Sequence, residues 1–419
     1  MQVSKRWGIV SIATIPLIIT LGNAMMIPVL PILQRQLHIN AVQSSLVITA
    51  YSIIAIVLIP VAGFISDRVG RKRVILPALG VTAAGGLIAG MGASLLHSYG
   101  WILAGRFIQG AGSAGAMPIA MPLVGDMLKR DEDVSKALGT IETSNTLGKV
   151  LSPILGAALA MWVFSLPFYA IPVLCLISGS MVALCVRVPK HDAEKPPHPV
   201  RVAVLLSLLR KHLRWLSAVF VMGASAMFVL FGTLVYLSDR LESTWNLDGI
   251  LKGLVLAVPL CCLCLTSYLV GHIISDRARR MKYATVGGGF VACGGSVSGA
   301  MVPGAFSLAM SVCVIGIGIG AVLPAVDALI TESIDKEQRG SITSVYTSTR
   351  FLGVAAGPFT VSLLSALGQV WVFGLMASLC LLAALYSMWA IKVGADGHGR
   401  TKMMQSGASR RPIRVKGMP

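Results

Sequence analysis

Stretches of about 20 apolar residues recur along almost the whole chain, and they constrain its fold more than any other feature. A bilayer core about 30 Å thick is crossed by roughly 20 residues of α-helix. Only 12% of the residues are charged and 55% are apolar, which argues against a soluble globular protein. The stretches predict twelve transmembrane helices, at 8–31, 43–65, 74–96, 100–123, 136–162, 166–186, 215–237, 250–273, 283–303, 305–329, 341–366 and 370–391. The predicted fold class is an all-α membrane protein.

The basic residues are distributed unevenly. A net charge of +18 would suggest nucleic-acid binding in a soluble protein. Here most of the 35 Lys and Arg residues fall at the two chain ends and in every second connecting segment. This positive-inside pattern predicts a multi-pass protein of the cytoplasmic membrane with both termini in the cytoplasm. It explains the basic excess without nucleic acid. The tail 393–419 is predicted to be disordered and to touch anionic lipid headgroups.

The two halves of the chain carry matching motifs. The segment 63–73 recurs as 271–282, the segment 148–153 recurs as 353–358, and Asp126 corresponds to Asp327. A repeat at roughly 200 to 210 residues predicts one six-helix fold used twice around a pseudo-symmetry axis. The predicted organisation is an N-terminal bundle at 1–186, a cytoplasmic linker at 187–214, a C-terminal bundle at 215–392 and the tail.

Three motifs of the first half resemble those of the major facilitator superfamily, and the resemblance covers essentially the whole chain. Residues 63–73 read Gly-Phe-Ile-Ser-Asp-Arg-Val-Gly-Arg-Lys-Arg and fit the family pattern Gly-x-x-x-Asp-Arg-x-Gly-Arg-Lys. Residues 106–112 and the Gly-Pro motif at 148–153 look like those of the twelve-helix drug/proton antiporter branch. The resemblance implies the major facilitator fold and efflux, as in drug resistance. It fails at Asn23, where this branch often carries an acid.

By the same resemblance, the loop after helix two works as a conformational latch against helix eleven. Arg71 would pair with Asp126, and Arg280 with Asp327 in the second half. The predicted latch residues are Gly63, Asp67, Arg68, Gly70, Arg71, Asp126, Asp276, Arg280 and Asp327. The alternative is that this loop serves only to fix the topology. A helix-bend motif is predicted at Gly148, Pro153, Gly353 and Pro358, where small residues allow close packing and proline removes a backbone hydrogen bond.

Charged residues inside the membrane are functional candidates because they are costly to place there. Glu142, Asn145 and Lys149 are spaced by three and four residues, so they share one helix face. The predicted proton-coupling site and central cavity comprise Asn23, Arg106, Gln109, Glu142, Asn145, Lys149 and Arg350. Glu142 is the predicted coupling acid; the alternative is that it lies near the inner interface and pairs only with Lys136 or Lys149. Asp239 and Glu242 are expected to be solvated.

Two functions remain open at this point. The resemblance favours a proton-coupled exporter of the multidrug type, working by alternating access. The deep charges, three cations against one carboxylate, favour an anionic or zwitterionic metabolite such as a siderophore or metallophore. Met25, Met26, Met222 and Met227 could line an adaptable apolar wall or pack in the core.

Other classes are disfavoured by the sequence. The seven His residues are scattered, and no phosphate-binding loop is present, so an enzyme is not expected. No metal site and no cofactor beyond the proton gradient are expected. The expected partners are a small-molecule substrate, protons and membrane lipid, with the protein acting as a monomer.

Overall fold

The computed structural model describes residues 3–128, 131–186, 212–274, 278–334 and 336–392. Within these ranges the chain forms fourteen α-helices. They are α1 (Val3–Ala24), α2 (Leu30–Leu37), α3 (Ala41–Val69), α4 (Arg71–Ser94), α5 (Tyr99–Ala114), α6 (Met117–Met127), α7 (Asp131–Trp162), α8 (Leu166–Cys185), α9 (Leu213–Ser243), α10 (Gly249–Ile274), α11 (Ala278–Met301), α12 (Ala305–Ser333), α13 (Lys336–Leu364) and α14 (Gln369–Ala390). Two short 3-10 helices, Ile27–Val29 and Ser365–Leu367, accompany them.

These helices make twelve membrane segments, because α1 with α2 forms one segment and α5 with α6 forms another. In the part of the chain that the structure describes, ten segments are long and apolar enough to cross a membrane. The other two are α7, which carries Glu142 and Lys149, and α11, which is rich in glycine. The predicted all-α membrane fold is confirmed.

The first predicted helix, 8–31, is interrupted between α1 and α2. Pro31 has no N–H group, so the carbonyl of Ile27, four residues earlier, lacks its helical donor. This carbonyl accepts a hydrogen bond from Ser238 Oγ at 3.1 Å instead. The fourth segment breaks in a similar way, just before Pro118. Both interruptions depart from the predicted continuous helices, and proline is the physical reason.

The turn between α3 and α4 consists of one residue. Gly70 has φ of 102°, a left-handed conformation that glycine adopts without steric strain. The chain therefore reverses directly from α3 into α4, and Arg71 stands at the first position of α4.

The bundle consists of two halves, α1–α8 and α9–α14. Contacts between the halves run mainly along two helix pairs, α3 with α13 and α7 with α10. We use the name terminal face for the end of the bundle where α1 begins and α14 ends, and distal face for the opposite end. The predicted linker falls between α8 and α9, and its residues 187–211 lie outside the described ranges, as does the tail 393–419.

Candidate functional site

Four charged side chains from both halves lie together in the middle of the bundle. Glu142 and Lys149 come from α7, Asp327 from α12 and Arg350 from α13. Arg350 Nη1 lies 3.7 Å from Asp327 Oδ1. Glu142 interacts electrostatically with the other three residues, and Lys149 interacts with both Asp327 and Arg350. These four residues are termed the central cluster below.

Asn145 anchors the central cluster to the first half. Its Nδ2 donates to Glu142 Oε1 at 3.3 Å, and its Oδ1 accepts from Thr20 Oγ1 of α1 at 2.6 Å. The spacing of three residues between Glu142 and Asn145 makes this contact possible on one helix face. Asn145 thus fixes the orientation of the α7 face that carries Glu142 and Lys149.

The central cluster is reached from the terminal face. The Asp327 side chain is 43% exposed and that of Arg350 is 21% exposed, while Glu142 is also exposed. At the distal face, by contrast, Met25, Met26 and Tyr236 are almost fully buried, and Ser238 Oγ of the second half donates to the Ile27 carbonyl of the first half at 3.1 Å. We infer from the exposure of the two carboxylates that the central cluster opens to solvent at the terminal face, beside the contact between α3 and α13. The structure shows a conformation that is closed at the distal face.

Arg106 lies apart from this opening. Its guanidinium group is fully buried and donates to Asn23 Oδ1 at 2.8 Å, Gln109 Oε1 at 2.6 Å and the Val47 carbonyl at 2.9 Å. It also stacks on Tyr51, with 4.7 Å between the guanidinium carbon and the ring centre. In this conformation Arg106, Asn23 and Gln109 are buried among α1, α3 and α5, and their role in proton coupling stays a prediction.

Asp327 also differs from its prediction. It was assigned to a latch pair with Arg280, but it faces Arg350 in the central cluster. Arg280 Nη1 donates to the Ile273 carbonyl at 2.9 Å instead. With Asp327 added and Arg106 removed, the central cluster holds two cations and two carboxylates. The predicted excess of positive charge is therefore wrong for this conformation.

The latch residues of the first half cluster at the terminal face. Arg71 Nε lies 3.1 Å from Asp126 Oδ2, and Arg71 Nη2 lies 3.6 Å from Asp67 Oδ1. Arg68 lies over the Phe64 ring, 4.2 Å from its centre. A side chain added at Gly63 would meet Ser344 of α13 at 3.4 Å, so α3 approaches the second half closely there. Asp276 lies outside the described residues, and the latch role stays a prediction.

The glycines of the two Gly-Pro motifs pack directly on backbone. A Cβ added at Gly148 would lie 2.8 Å from the Leu17 carbonyl of α1, and one added at Gly353 would lie 2.1 Å from the Ala224 carbonyl of α9. Pro153 and Pro358 lie inside continuous helices. These motifs press α7 onto α1 and α13 onto α9 within each half, and their bending role stays a prediction.

The sequence reasoning missed a second charged cluster, at the distal face. Glu242, expected to be solvated, is only 5% exposed. Its Oε2 lies 2.5 Å from Lys252 Nζ, and its Oε1 pairs with Arg35. One signal pointed to it: Lys252 interrupts an otherwise apolar run. Asp239, on the same helix, is half-buried.

Comparisons with known proteins agree with this architecture. The Major Facilitator Superfamily profile matches residues 12–358 and 241–415. The chain is 43% identical over 381 residues to the bacillibactin exporter of Bacillus subtilis, covering 90% of this chain and 94% of that protein. It is 25% identical over 391 residues to the class C tetracycline resistance protein of Escherichia coli, covering 87% and 92%. A solved bacterial homologue of the human lysosomal transporter Spinster shares the fold, with a TM-score of 0.76 at 14% identity, covering 93% and 97%.

The family match spans most of the chain. The helix arrangement, the motif at residues 63–73 and the relatives that align along most of the chain agree with it. Members of this family are transporters and not enzymes. The chain belongs to the major facilitator superfamily of membrane transporters.

Proposed function

We propose that this transporter exports bacillibactin, or an acidic or zwitterionic metabolite of the same siderophore type, by proton-coupled alternating access. The observation that carries the proposal is the 43% identity to a bacillibactin exporter along 90% of the chain. The central cluster supports it, because Lys149 and Arg350 offer donors for acidic groups of a ligand, while Glu142 and Asp327 accept from its donor groups.

The positive-inside pattern supports an orientation with the terminal face in the cytoplasm. In that orientation, the opening to the central cluster faces the cytoplasm, and the closed distal face separates it from the outside. This is the state in which an exporter would take up its substrate. Rocking of the two halves about the central cluster would then expose the same residues to the outside.

Glu142 is the proposed coupling acid. It is exposed in the opening, and it stands beside Lys149 and Asn145. A protonated Glu142 can no longer accept hydrogen bonds from donor groups of the substrate with both oxygens, so a proton and the substrate would compete for the same carboxyl group. Substrate binding and proton binding would in this way alternate at one place.

Multidrug export is the second candidate, and the resistance proteins among the relatives favour it. The class C tetracycline resistance protein aligns along almost the whole chain, although at 25% identity. The methionines that could form an apolar wall for drug binding do not support this candidate. Met25, Met26, Met222 and Met227 are all buried in the core rather than directed into the opening.

Uptake into inverted membrane vesicles, whose lumen corresponds to the outside of the cell, tests both candidates. Bacillibactin, tetracycline and a lipophilic cation would be compared at two pH values on the side that corresponds to the outside. We expect transport of bacillibactin that increases with the inward proton gradient. Transport of tetracycline or the lipophilic cation without transport of bacillibactin would reject the siderophore proposal and favour multidrug export.

Glu142→Gln tests the coupling, with Asp133→Asn as a matched control on the same helix but outside the central cluster. The Glu142→Gln protein should still bind bacillibactin, while its transport no longer responds to the gradient. The Asp133→Asn protein should respond as the natural protein does. A Glu142→Gln protein with an unchanged gradient response would exclude Glu142 as the coupling acid.

A further inference from the structure

The distal face holds a polar network that joins the two halves through side chains no transport role has yet explained. Its members are Arg35 of α2 in the first half, and Ser238, Glu242 and Lys252 in the second half. Three of its bonds cross between the halves: Arg35 to Glu242, Lys252 Nζ to the Pro28 carbonyl at 2.8 Å, and Ser238 Oγ to the Ile27 carbonyl at 3.1 Å.

The interruption of the first membrane segment supplies two of the acceptors. The Ile27 carbonyl lacks a helical donor because Pro31 follows four residues later, and it is satisfied by the other half. A buried carbonyl without a donor is unfavourable inside a membrane protein. The proline-broken segment is therefore stabilised when the two halves meet at the distal face.

The buried charges of this network remain paired if the halves separate. Glu242 and Lys252 both belong to the second half, and their side chains are 4% and 2% exposed. Asp239 and Asp248 add negative charge around Lys252 from the same half. Among the residues that the structure describes, the charged group of the first half in this network is Arg35, whose side chain is already 64% exposed and can be hydrated readily. Opening would break three cross-half bonds without leaving a buried charge alone.

From this geometry we propose that Arg35, Ser238, Glu242 and Lys252 form the distal gate of the transporter, which opens when the substrate is released. Arg35 and Ser238 set how strongly the gate stays closed, and the Glu242–Lys252 pair keeps both charges compensated in the open and closed states. The inference rests on the alternating access proposed above, and it adds the residues that hold the substrate path shut.

Chemical modification of Lys252 tests the gate. The full-length protein, purified in lipid nanodiscs without substrate or gradient, would be treated with a water-soluble amine-reactive ester. Peptide mass spectrometry would then give the rate at which Lys252 is modified. In the natural protein this rate should be low, because Lys252 is only 1% exposed.

Arg35→Gln should raise this rate about two- to fivefold, the range expected when one ion pair with an exposed partner is lost. Ser238→Ala, which removes an uncharged cross-half bond, should raise it as well. The matched control is Arg240→Gln, since Arg240 Nε bonds to Tyr236 Oη at 3.0 Å within the same half and at the same face. Arg240→Gln should leave the rate unchanged.

Equal rates in the natural protein and both gate variants would overturn the gate. An increase of the same size in the Arg240→Gln control would also overturn it, because it would indicate general loosening. The readout needs neither substrate nor proton gradient, so it stands apart from the proposed function. A transporter that fails to export bacillibactin can still show this gate.

Discussion

The central cluster and the distal gate contain the same kinds of charged group, but those of the central cluster are partly exposed and the Glu242–Lys252 pair of the distal gate is buried. In the central cluster, the Asp327 side chain is 43% exposed and lies 3.7 Å from Arg350. In the distal gate, the Glu242 and Lys252 side chains are 4% and 2% exposed and lie 2.5 Å apart. Loosely paired, hydrated charges can exchange partners with a ligand, whereas a buried close pair resists separation. Under the proposed function, exchangeable charges lie where the substrate arrives, and a fixed buried pair lies where the halves meet at the distal face.

The largest expected effect is on thermal stability, and it distinguishes the distal gate from the central cluster. Glu242→Gln leaves the Lys252 ammonium group buried without its carboxylate, and breaking a buried pair costs about 3–5 kcal/mol. We expect this variant to unfold at a clearly lower temperature, by about 5 °C or more, in a thermal scan of the purified protein. Glu142→Gln should shift the midpoint by less than about 1 °C, since Glu142 is exposed. Equal shifts would remove the distinction between the two regions.

The next effect concerns transport. Lys149→Leu removes a cation of the central cluster that faces Glu142. We expect efflux of bacillibactin to fall about 100-fold, or about 2.7 kcal/mol, somewhat less than for a fully buried pair because the cluster is open to water. Lys282→Leu, near the start of α11 and away from the cluster, serves as the control and should retain transport. A Lys149→Leu protein with normal efflux would contradict the placement of the substrate at the cluster.

A smaller effect on efflux is expected for the Asp327–Arg350 pair of the central cluster. Arg350→Gln and Asp327→Asn should each reduce efflux about tenfold, since each leaves one charge of the pair without its partner. The double variant should lose less than the product of the two, with a coupling of about 1 kcal/mol between the two residues. Efflux measurements on the four proteins of this cycle give the coupling. Strictly multiplicative losses would show that the pair does not act as a unit.

Much of the fold follows directly from the sequence. The twelve apolar stretches coincide with the membrane segments because the length of a membrane helix is set by the bilayer, not by distant contacts. The meeting of Glu142 and Lys149 with Arg350 also follows, since helical spacing puts the first two on one face and the repeat relates α7 to α13. These are properties of local sequence and of symmetry.

Neither the residues of the distal gate nor the partner of Asp327 could be predicted from local sequence and symmetry. Arg35 lies 207 residues before Glu242 in the chain, and Glu242 and Lys252 lie at helix ends where a sequence suggests solvent. Asp327 was given a partner by analogy with Asp126, but the second half carries Arg350 where the first half carries Asn145. The repeat preserves the fold. At one position, however, the first half has the amide of Asn145 and the second half has the cation of Arg350, and this cation is the ion-pair partner of Asp327.

The sequence favoured an acidic metabolite because three deep cations stood against one carboxylate. In the structure, the central cluster holds two cations and two carboxylates, so its net charge does not favour that substrate. What supports the siderophore proposal is the relationship to the bacillibactin exporter together with donors and acceptors presented side by side.

The most direct test of the proposed substrate site is a structure of the protein with bacillibactin, determined by cryo-electron microscopy in lipid nanodiscs. We expect ligand density between α7 and α13, in contact with both Lys149 and Arg350. Density confined to the buried Met residues or to the membrane-facing surface, with Lys149 and Arg350 untouched, would contradict it.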